Sequence, residues 1–306
     1  MKILLTGATG LIGSRFEELL FEKHEIVPLS GSLGVDITDK DSIEKFLEGK
    51  SYDVVIHLAA KTDVDGSELD KEQDLKTLGI SEDELLTLDI SSYDVTPWKG
   101  SKTAVAINAI GTKNLYDITK KTGAKFIYIS TDFVFSGKDS EYEEESIPNP
   151  VDWYGMSKYL GEKVINQSSD LIIRISFPYG HISQVKKDFV WRLHDLIASR
   201  DEVSLISDQT ITPTFIDDVV MGIDFLLEHE ICGIVHLAGS SSHSPKEISE
   251  KIKQAFGLST TIGDSKLEDV YAGKAARPVQ SIMKNDKLKN LGFVPKTFDQ
   301  GLDLIK

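Results

Sequence analysis

Short apolar runs alternate along the first half of the chain with stretches whose apolar positions recur every three or four residues. "KILLTG" at 2–7, "EIVPLS" at 25–30, "DVVIHLAA" at 53–60, "AKFIYIS" at 124–130 and "DLIIRIS" at 170–176 each have the length and content of one buried strand. "LIGSRFEELLFEK" at 11–23 carries the helical period instead. Strands separated by helices imply right-handed crossovers and a parallel sheet covered on both faces. The pattern predicts a doubly wound α/β domain.

Beyond residue 176 the pattern is mixed. "KDFVWRLHDLIAS" at 187–199 reads as a helix and "GIVHLAG" at 233–239 as a strand. "SPKEISEKIKQAFG" at 244–257 reads as a helix with Ser244 as N-cap and Pro245 at its first position. The expected division is a domain over 1–175 and a small C-terminal lobe over 176–306, with segments about 203–238 returning to the first sheet. One stretch breaks the alternation. Residues 66–100 separate the third strand from the helix carrying Asn108, where a compact connection takes about 2 to 6 residues. A capping-box pattern from Ser81 to Glu84 predicts that this insertion is folded.

Composition narrows the functional classes. With 306 residues, 40% of them hydrophobic, the chain can bury a large core. No apolar run is long enough to span a bilayer, and "MKILLTGATG" enters a strand and a glycine turn at once, so no leader or anchor and a cytoplasmic location are expected. The net charge of -15 disfavours nucleic acid, whose binding draws on lysine and arginine. A single cysteine, Cys232, excludes an intrachain disulfide framework and a cysteine-based metal cluster. The seven histidines lack metal-ligand spacing, and His57 and His236 sit in strand-like runs as core histidines, so no metal is expected.

Two constellations carry chemistry. "GATGLIG" puts Gly7, Gly10 and Gly13 directly after the first strand and at the start of a helix. Glycines there allow a tight turn and close approach to a pyrophosphate, whose charge the helix N-terminus favours. "DWYGMSKYLGEK" at 152–163 places Tyr154 and Lys158 four residues apart, on one face of a helix. A phenol titrates near 10, and a lysine beside it is expected to lower that value toward the working pH of an acid or base.

The glycine spacing with Tyr154 and Lys158 downstream resembles the extended short-chain dehydrogenase/reductase family over nearly the whole chain. "DIT" at 36–38, "HLAA" at 57–60 and "NAIGTKN" at 108–114 add local matches. Within that family "STDFVFSG" at 130–137, "YGMSKYLGE" at 154–162, "LISDQTITPT" at 205–214 and "ARPVQS" at 276–281 are similar to dTDP-4-dehydrorhamnose reductases. The resemblance implies a Rossmann domain holding a nicotinamide cofactor through Gly7, Thr9, Gly10, Leu11, Ile12, Gly13, Ser30, Asp36, Ile37, Leu58, Ala59, Ala60, Ser130, Tyr154 and Lys158. It implies reduction of a 4-keto nucleotide sugar, with Tyr154 as proton donor, Lys158 on the nicotinamide ribose and Thr131 on the reacting oxygen. Arg277 would meet substrate phosphates, and Asn108 would hold a water or brace the sheet. Phe177 stands where these reductases have a substrate-contacting tryptophan. Ser14 and Arg15 stand where some of them have an acid for a metal-bridged dimer.

No carboxylate occupies the end of the second strand, where an NAD-specific fold binds the adenosine ribose; that position is Ser30. NADP(H) is therefore expected to be favoured over NAD(H), with Ser30, Ser32 or Arg15 donating to the 2′-phosphate. Two other readings share the motifs. One is a nucleotide-sugar epimerase or dehydratase; the other is a non-catalytic regulatory subunit resembling the β subunit of methionine adenosyltransferase. A homo-oligomer or a protein partner is compatible with either. The 66–100 insertion is expected to form a helical flap at the sugar end of the cleft, or a partner surface beside it.

Overall fold

The computed structural model describes residues 1–182 and 186–306. The first part of the chain forms β1 (Lys2–Thr6), α1 (Leu11–Leu20), β2 (Glu25–Leu29), α2 (Lys40–Leu47), β3 (Val54–His57), α3 (Val64–Glu68), α4 (Lys71–Leu78), α5 (Thr112–Thr119), β4 (Lys125–Thr131), α6 (Trp153–Glu162) and β5 (Leu171–Ile175). There follow β6 (Pro178–Tyr179), α7 (Phe189–Ala198), β7 (Glu202–Ile206), β8 (Thr210–Ile211), β9 (Thr214–Phe215), α8 (Ile216–Glu228) and β10 (Gly233–His236). The chain ends with α9 (Pro245–Phe256), β11 (Thr261–Ser265), α10 (Leu267–Val270), β12 (Gln280–Ser281), α11 (Asp286–Leu291) and α12 (Phe298–Ile305).

Six strands make the main sheet, in the order β10-β5-β4-β3-β1-β2. Its pairs β1–β2, β1–β3 and β3–β4 are parallel, with Ile3 opposite both Ile26 and Val54. Every residue of β3 is buried, as a strand covered on both faces requires, and this is why its apolar residues run continuously instead of alternating. The doubly wound fold is the one the apolar runs predict.

The chain divides into two compact units whose boundaries differ from a cut at 175. The first takes residues 1–134, 148–173 and 231–234; the second takes 135–147, 174–230 and 235–306. The expected return of segments within 203–238 to the first sheet holds for β10 and is corrected for β7. Only β10 joins that sheet, while β7 pairs in parallel with β11, Val203 lying opposite Ile262. Val203, Leu205 and Ile262 are buried in the second unit's own core with Ile248 and Phe298, so β7 satisfies its apolar face there. In that unit Asp188 caps α7 by accepting from Val190 N at 2.8 Å, and Ser244 is the N-cap of α9 as predicted, in a capping box that Glu247 completes. Among the described residues no helix is long and apolar enough to cross a membrane.

The insertion is a wall of the first unit rather than a flap. Leu78, Leu85, Ile90 and Trp98 are buried in the same cluster as Val55, Leu115 and Leu160. The capping box forms as predicted, the Glu84 carboxylate accepting from the Ser81 N–H at 2.9 Å and from its hydroxyl at 2.7 Å. Tyr93 Oη donates to the Leu78 carbonyl at 2.5 Å, and Lys99 pairs with Asp39 at 2.9 Å and Asp41 at 2.8 Å. Four large apolar side chains in an otherwise acidic stretch need cover, and they find it in the core.

Candidate active site

The turn after β1 is built for close approach. Gly7 adopts φ 70°, and a Cβ there would lie 2.8 Å from Ala59 N at the end of β3. A Cβ on Gly13 would lie 2.2 Å from the Gly7 carbonyl. The α1 N-terminus has Gly10 at its cap position, a residue with no side chain to bond the first-turn amides. Thr6 Oγ1 locks the neighbouring strand end, meeting Ala59 N at 3.0 Å and His57 Nδ1 at 2.7 Å, and His57 Nε2 lies 3.0 Å from Thr112 Oγ1. Burial, with Lys158 adding to it, pushes His57 down to about 3, so at neutral pH it is an uncharged core brace, as its sequence setting predicts. Ser130, at the end of β4, is buried and its hydroxyl has no hydrogen-bond partner among the described residues. A glycine cradle, an uncapped helix start and an orphan hydroxyl fit a dinucleotide cofactor.

The second half of the site is α6. Asp152 caps it by accepting from Gly155 N at 2.8 Å. Tyr154, in the first turn, lies edge-on to Phe133 with ring centres 5.6 Å apart, and the Thr131 side chain favours its phenolate form. Thr131 Oγ1 donates to Asp132 Oδ1 at 3.1 Å and accepts from Phe133 N at 3.3 Å. Lys158 is buried one turn on, donating to the Ile129 carbonyl at 2.7 Å with its ammonium 4.0 Å from the Tyr128 ring centre.

The electrostatics differ from the sequence-based expectation. Burial raises the Tyr154 phenol well above its ordinary value, Asp132 and Asp152 add to the rise, and the Thr131 hydrogen bond opposes it. Lys158 is not among the groups that move the phenol. Burial brings Lys158 itself down to about 7, against the opposing pull of Glu162. For both groups the loss of water is the largest cause, since burial disfavours whichever form carries charge. The phenol is left protonated at neutral pH, which suits a proton donor.

Asn108 braces the site. Its Oδ1 accepts from Lys61 N at 2.8 Å, while Nδ2 donates to the Lys61 carbonyl at 3.0 Å and to Ser157 Oγ at 2.8 Å. Asn108 lies in a π-helical turn, Ala106–Gly111, and its carbonyl accepts from Thr112 Oγ1 at 2.8 Å and Tyr128 Oη at 3.2 Å. Two residues absent from the sequence-based reading fix the height of α6. A Cβ on Gly155 would fall 2.1 Å from the Phe133 carbonyl, and one on Gly161 would fall 2.4 Å from the Asn108 carbonyl. Two glycines inside one helix were a signal of this, since each costs about 1 kcal/mol and wants a packing reason.

The remaining predicted residues divide between the units. Ser30 Oγ lies 2.7 Å from Ser32 Oγ, and Arg15 pairs with Glu18 at 2.8 Å. Both Asp36 oxygens are engaged, Oδ1 by the Thr38 N–H and hydroxyl and Oδ2 by Lys102 at 2.5 Å. Ile37 packs beside Gly111, where a Cβ would lie 2.8 Å from Ile37 Cδ1. Phe177 and Arg277 belong to the second unit. Phe177 holds φ 40°, a strained conformation for a side chain of its size, and stands edge-on to Phe189. Arg277 lies over the Tyr271 ring at 4.4 Å and donates to the Ala275 carbonyl at 2.6 Å.

Comparison with known proteins follows the same lines. The family model for the RmlD substrate binding domain matches residues 1–85 and 99–305. The part of the connection foreign to that family is therefore 86–98, shorter than the 66–100 read from loop length. A probable low-salt glycan biosynthesis reductase, Agl14, of Haloferax volcanii is 31% identical over 99% of this chain and 96% of its own length. The β subunit of methionine adenosyltransferase 2 from Xenopus laevis is 25% identical over 97% of this chain and 84% of its own. The crystal structure of dTDP-4-dehydrorhamnose reductase from Bacillus anthracis in complex with NADP superposes with a TM-score of 0.82 at 31% identity, covering 99% of this chain and 97% of the other.

Proposed function

The chain belongs to the family of the RmlD substrate binding domain, oxidoreductases of the extended short-chain dehydrogenase/reductase type, and from that premise we propose that it reduces the 4-keto group of a nucleotide-linked sugar. The observation that carries this reading is a buried Lys158, held by the Ile129 carbonyl one turn from Tyr154 on α6, beside a phenol that burial keeps protonated at neutral pH. When bound, a reduced nicotinamide supplies hydride to the carbonyl carbon. The residues of the chain supply the rest. Thr131 offers its hydroxyl to the carbonyl oxygen beside Tyr154, and Tyr154 gives that oxygen its proton as negative charge develops there. Lys158 takes the nicotinamide ribose hydroxyls, an assignment supported by family resemblance, and Gly7, Gly10 and Gly13 with the amides of α1 take the pyrophosphate. Phe177 and Arg277 are assigned to the sugar nucleotide by resemblance alone.

NADPH is proposed as the preferred cofactor, because Ser30 and Ser32 present two hydroxyls and no carboxylate where a 2′-phosphate would come. A cytoplasmic location is part of the same proposal. The test incubates the purified protein with NADPH or NADH and a panel of 4-keto nucleotide sugars. Net cofactor oxidation with at least one sugar is expected, NADPH binding no weaker than NADH, and Tyr154→Phe should lower kcat by about 10² to 10⁴ while still binding cofactor. Isomerisation without net oxidation would make the protein an epimerase. Cofactor binding without turnover would favour the regulatory reading that the Xenopus relative suggests.

A further inference from the structure

Between β3 and the turn carrying Asn108 the chain makes α3 and α4, and neither supplies a residue to the chemistry above. Both direct acids at the start of α6. Asp74 on α4 is fully buried, and its Oδ2 accepts from the Trp153 indole Nε1 at 2.8 Å and from Val105 N at 3.1 Å. Glu68 on α3 accepts from the Trp153 main-chain N–H at 2.9 Å. Asp70 binds the neighbouring segments, taking Ala104 N at 2.8 Å and Lys61 Nζ at 2.5 Å.

Stability alone does not call for this arrangement. The first turn of α6 already has Asp152 as its cap, and a buried carboxylate is costly where an apolar side chain of similar size would pack freely. What the carboxylate does provide is direction. A hydrogen bond to the indole N–H fixes the rotation of a ring that apolar packing would leave free to slide, and Trp153 is the residue before Tyr154 on the same helical turn.

We propose that Asp74 is a positioning residue for the proposed reduction: by holding the Trp153 indole it sets the rotation of α6, and with it the reach of the Tyr154 hydroxyl to Thr131. The inference rests on the reading of Tyr154 as proton donor. The test uses the full chain saturated with NADPH. Asp74→Leu should lower kcat roughly 10- to 100-fold, the usual cost of a displaced reacting group. KM for the keto sugar and the NADPH dissociation constant should hardly move. Asp74→Asn, whose amide oxygen still accepts from the indole, should recover most of the rate.

A second readout needs no turnover. With ¹³Cζ-labelled tyrosine, the Tyr154 resonance, identified by its loss in Tyr154→Phe, should shift in Asp74→Leu and stay in place in Asp74→Asn. A folded Asp74→Leu with that resonance and kcat unchanged overturns the proposal. So does a parallel fall of kcat, sugar binding and cofactor affinity, which would mark general damage. If Asp74→Leu does not fold, Trp153→Phe removes the same bond and must shift the Tyr154 resonance. A wild-type protein that turns over no keto sugar defeats the reductase reading, and the resonance still decides the positioning.

Discussion

An ammonium group in water titrates near 10.4, and the burial of Lys158 brings it down to about 7. Between those values the unfolded chain holds the extra proton, so the contribution of this residue to stability rises with pH from about 7 to about 10.5 and is least favourable below 7. Lys158→Met removes the buried charge together with its bond to the Ile129 carbonyl. The apo variant should be more stable than the parent at pH 6 by about 1 to 3 kcal/mol, as expected when a buried charge whose desolvation exceeds its compensation is removed. The gap should close by pH 10. Denaturant midpoints at the two pH values check this, and equal midpoints at pH 6 would mean that the ammonium is well solvated. The residue costs stability where the proposed function needs it.

At the scale of the element, α6 is held by more than the predicted pair. Its N-terminus is tied by Asp152, Glu68 and Asp74, and its height over β4 is set by two glycines against fixed carbonyls. A Cβ on Gly161 would also come 2.3 Å from Tyr128 Oη, whose hydroxyl donates to the Asn108 and Lys158 carbonyls. Neither neighbour can give way without breaking those bonds. Gly161→Ala is therefore expected to cost about 1 to 3 kcal/mol, as overpacking does, although alanine is the better helix former. An alanine variant of unchanged or increased stability would show that α6 can ride up without penalty.

At the scale of the whole molecule, the net charge of -15 conceals how much apolar surface the acidic connection brings to the core. Ile90 and Trp98 lie in the stretch 86–98 that the family match omits, and both are buried with the residues that cover the sheet. Trp98→Ala should lower stability by about 3 to 5 kcal/mol, the range for truncating a buried tryptophan. A chemical-denaturation curve measures it. A loss under about 1 kcal/mol, the scale of surface changes, would mean that Trp98 adds little to the core.

Much of this protein is decided within a few residues of sequence. A run of four or five apolar, largely β-branched residues bounded by turn signals reads as a buried strand, a glycine triplet after one makes a phosphate-sized turn, and Ser81 with Glu84 or Ser244 with Glu247 form their capping boxes across three residues. The four-residue spacing of Tyr154 and Lys158 likewise follows from helical geometry alone. Partner choice and burial are another matter, because both depend on contacts far apart in the chain. That β7 pairs with β11 instead of rejoining the main sheet depends on a strand more than fifty residues downstream. The Trp153 bond to Asp74 crosses 79 residues, and no local pattern announces it. The charge state of the central pair was decided in the same way: spacing predicts attraction between lysine and phenol, whereas the folded chain desolvates each, and at these depths the loss of water is the larger effect.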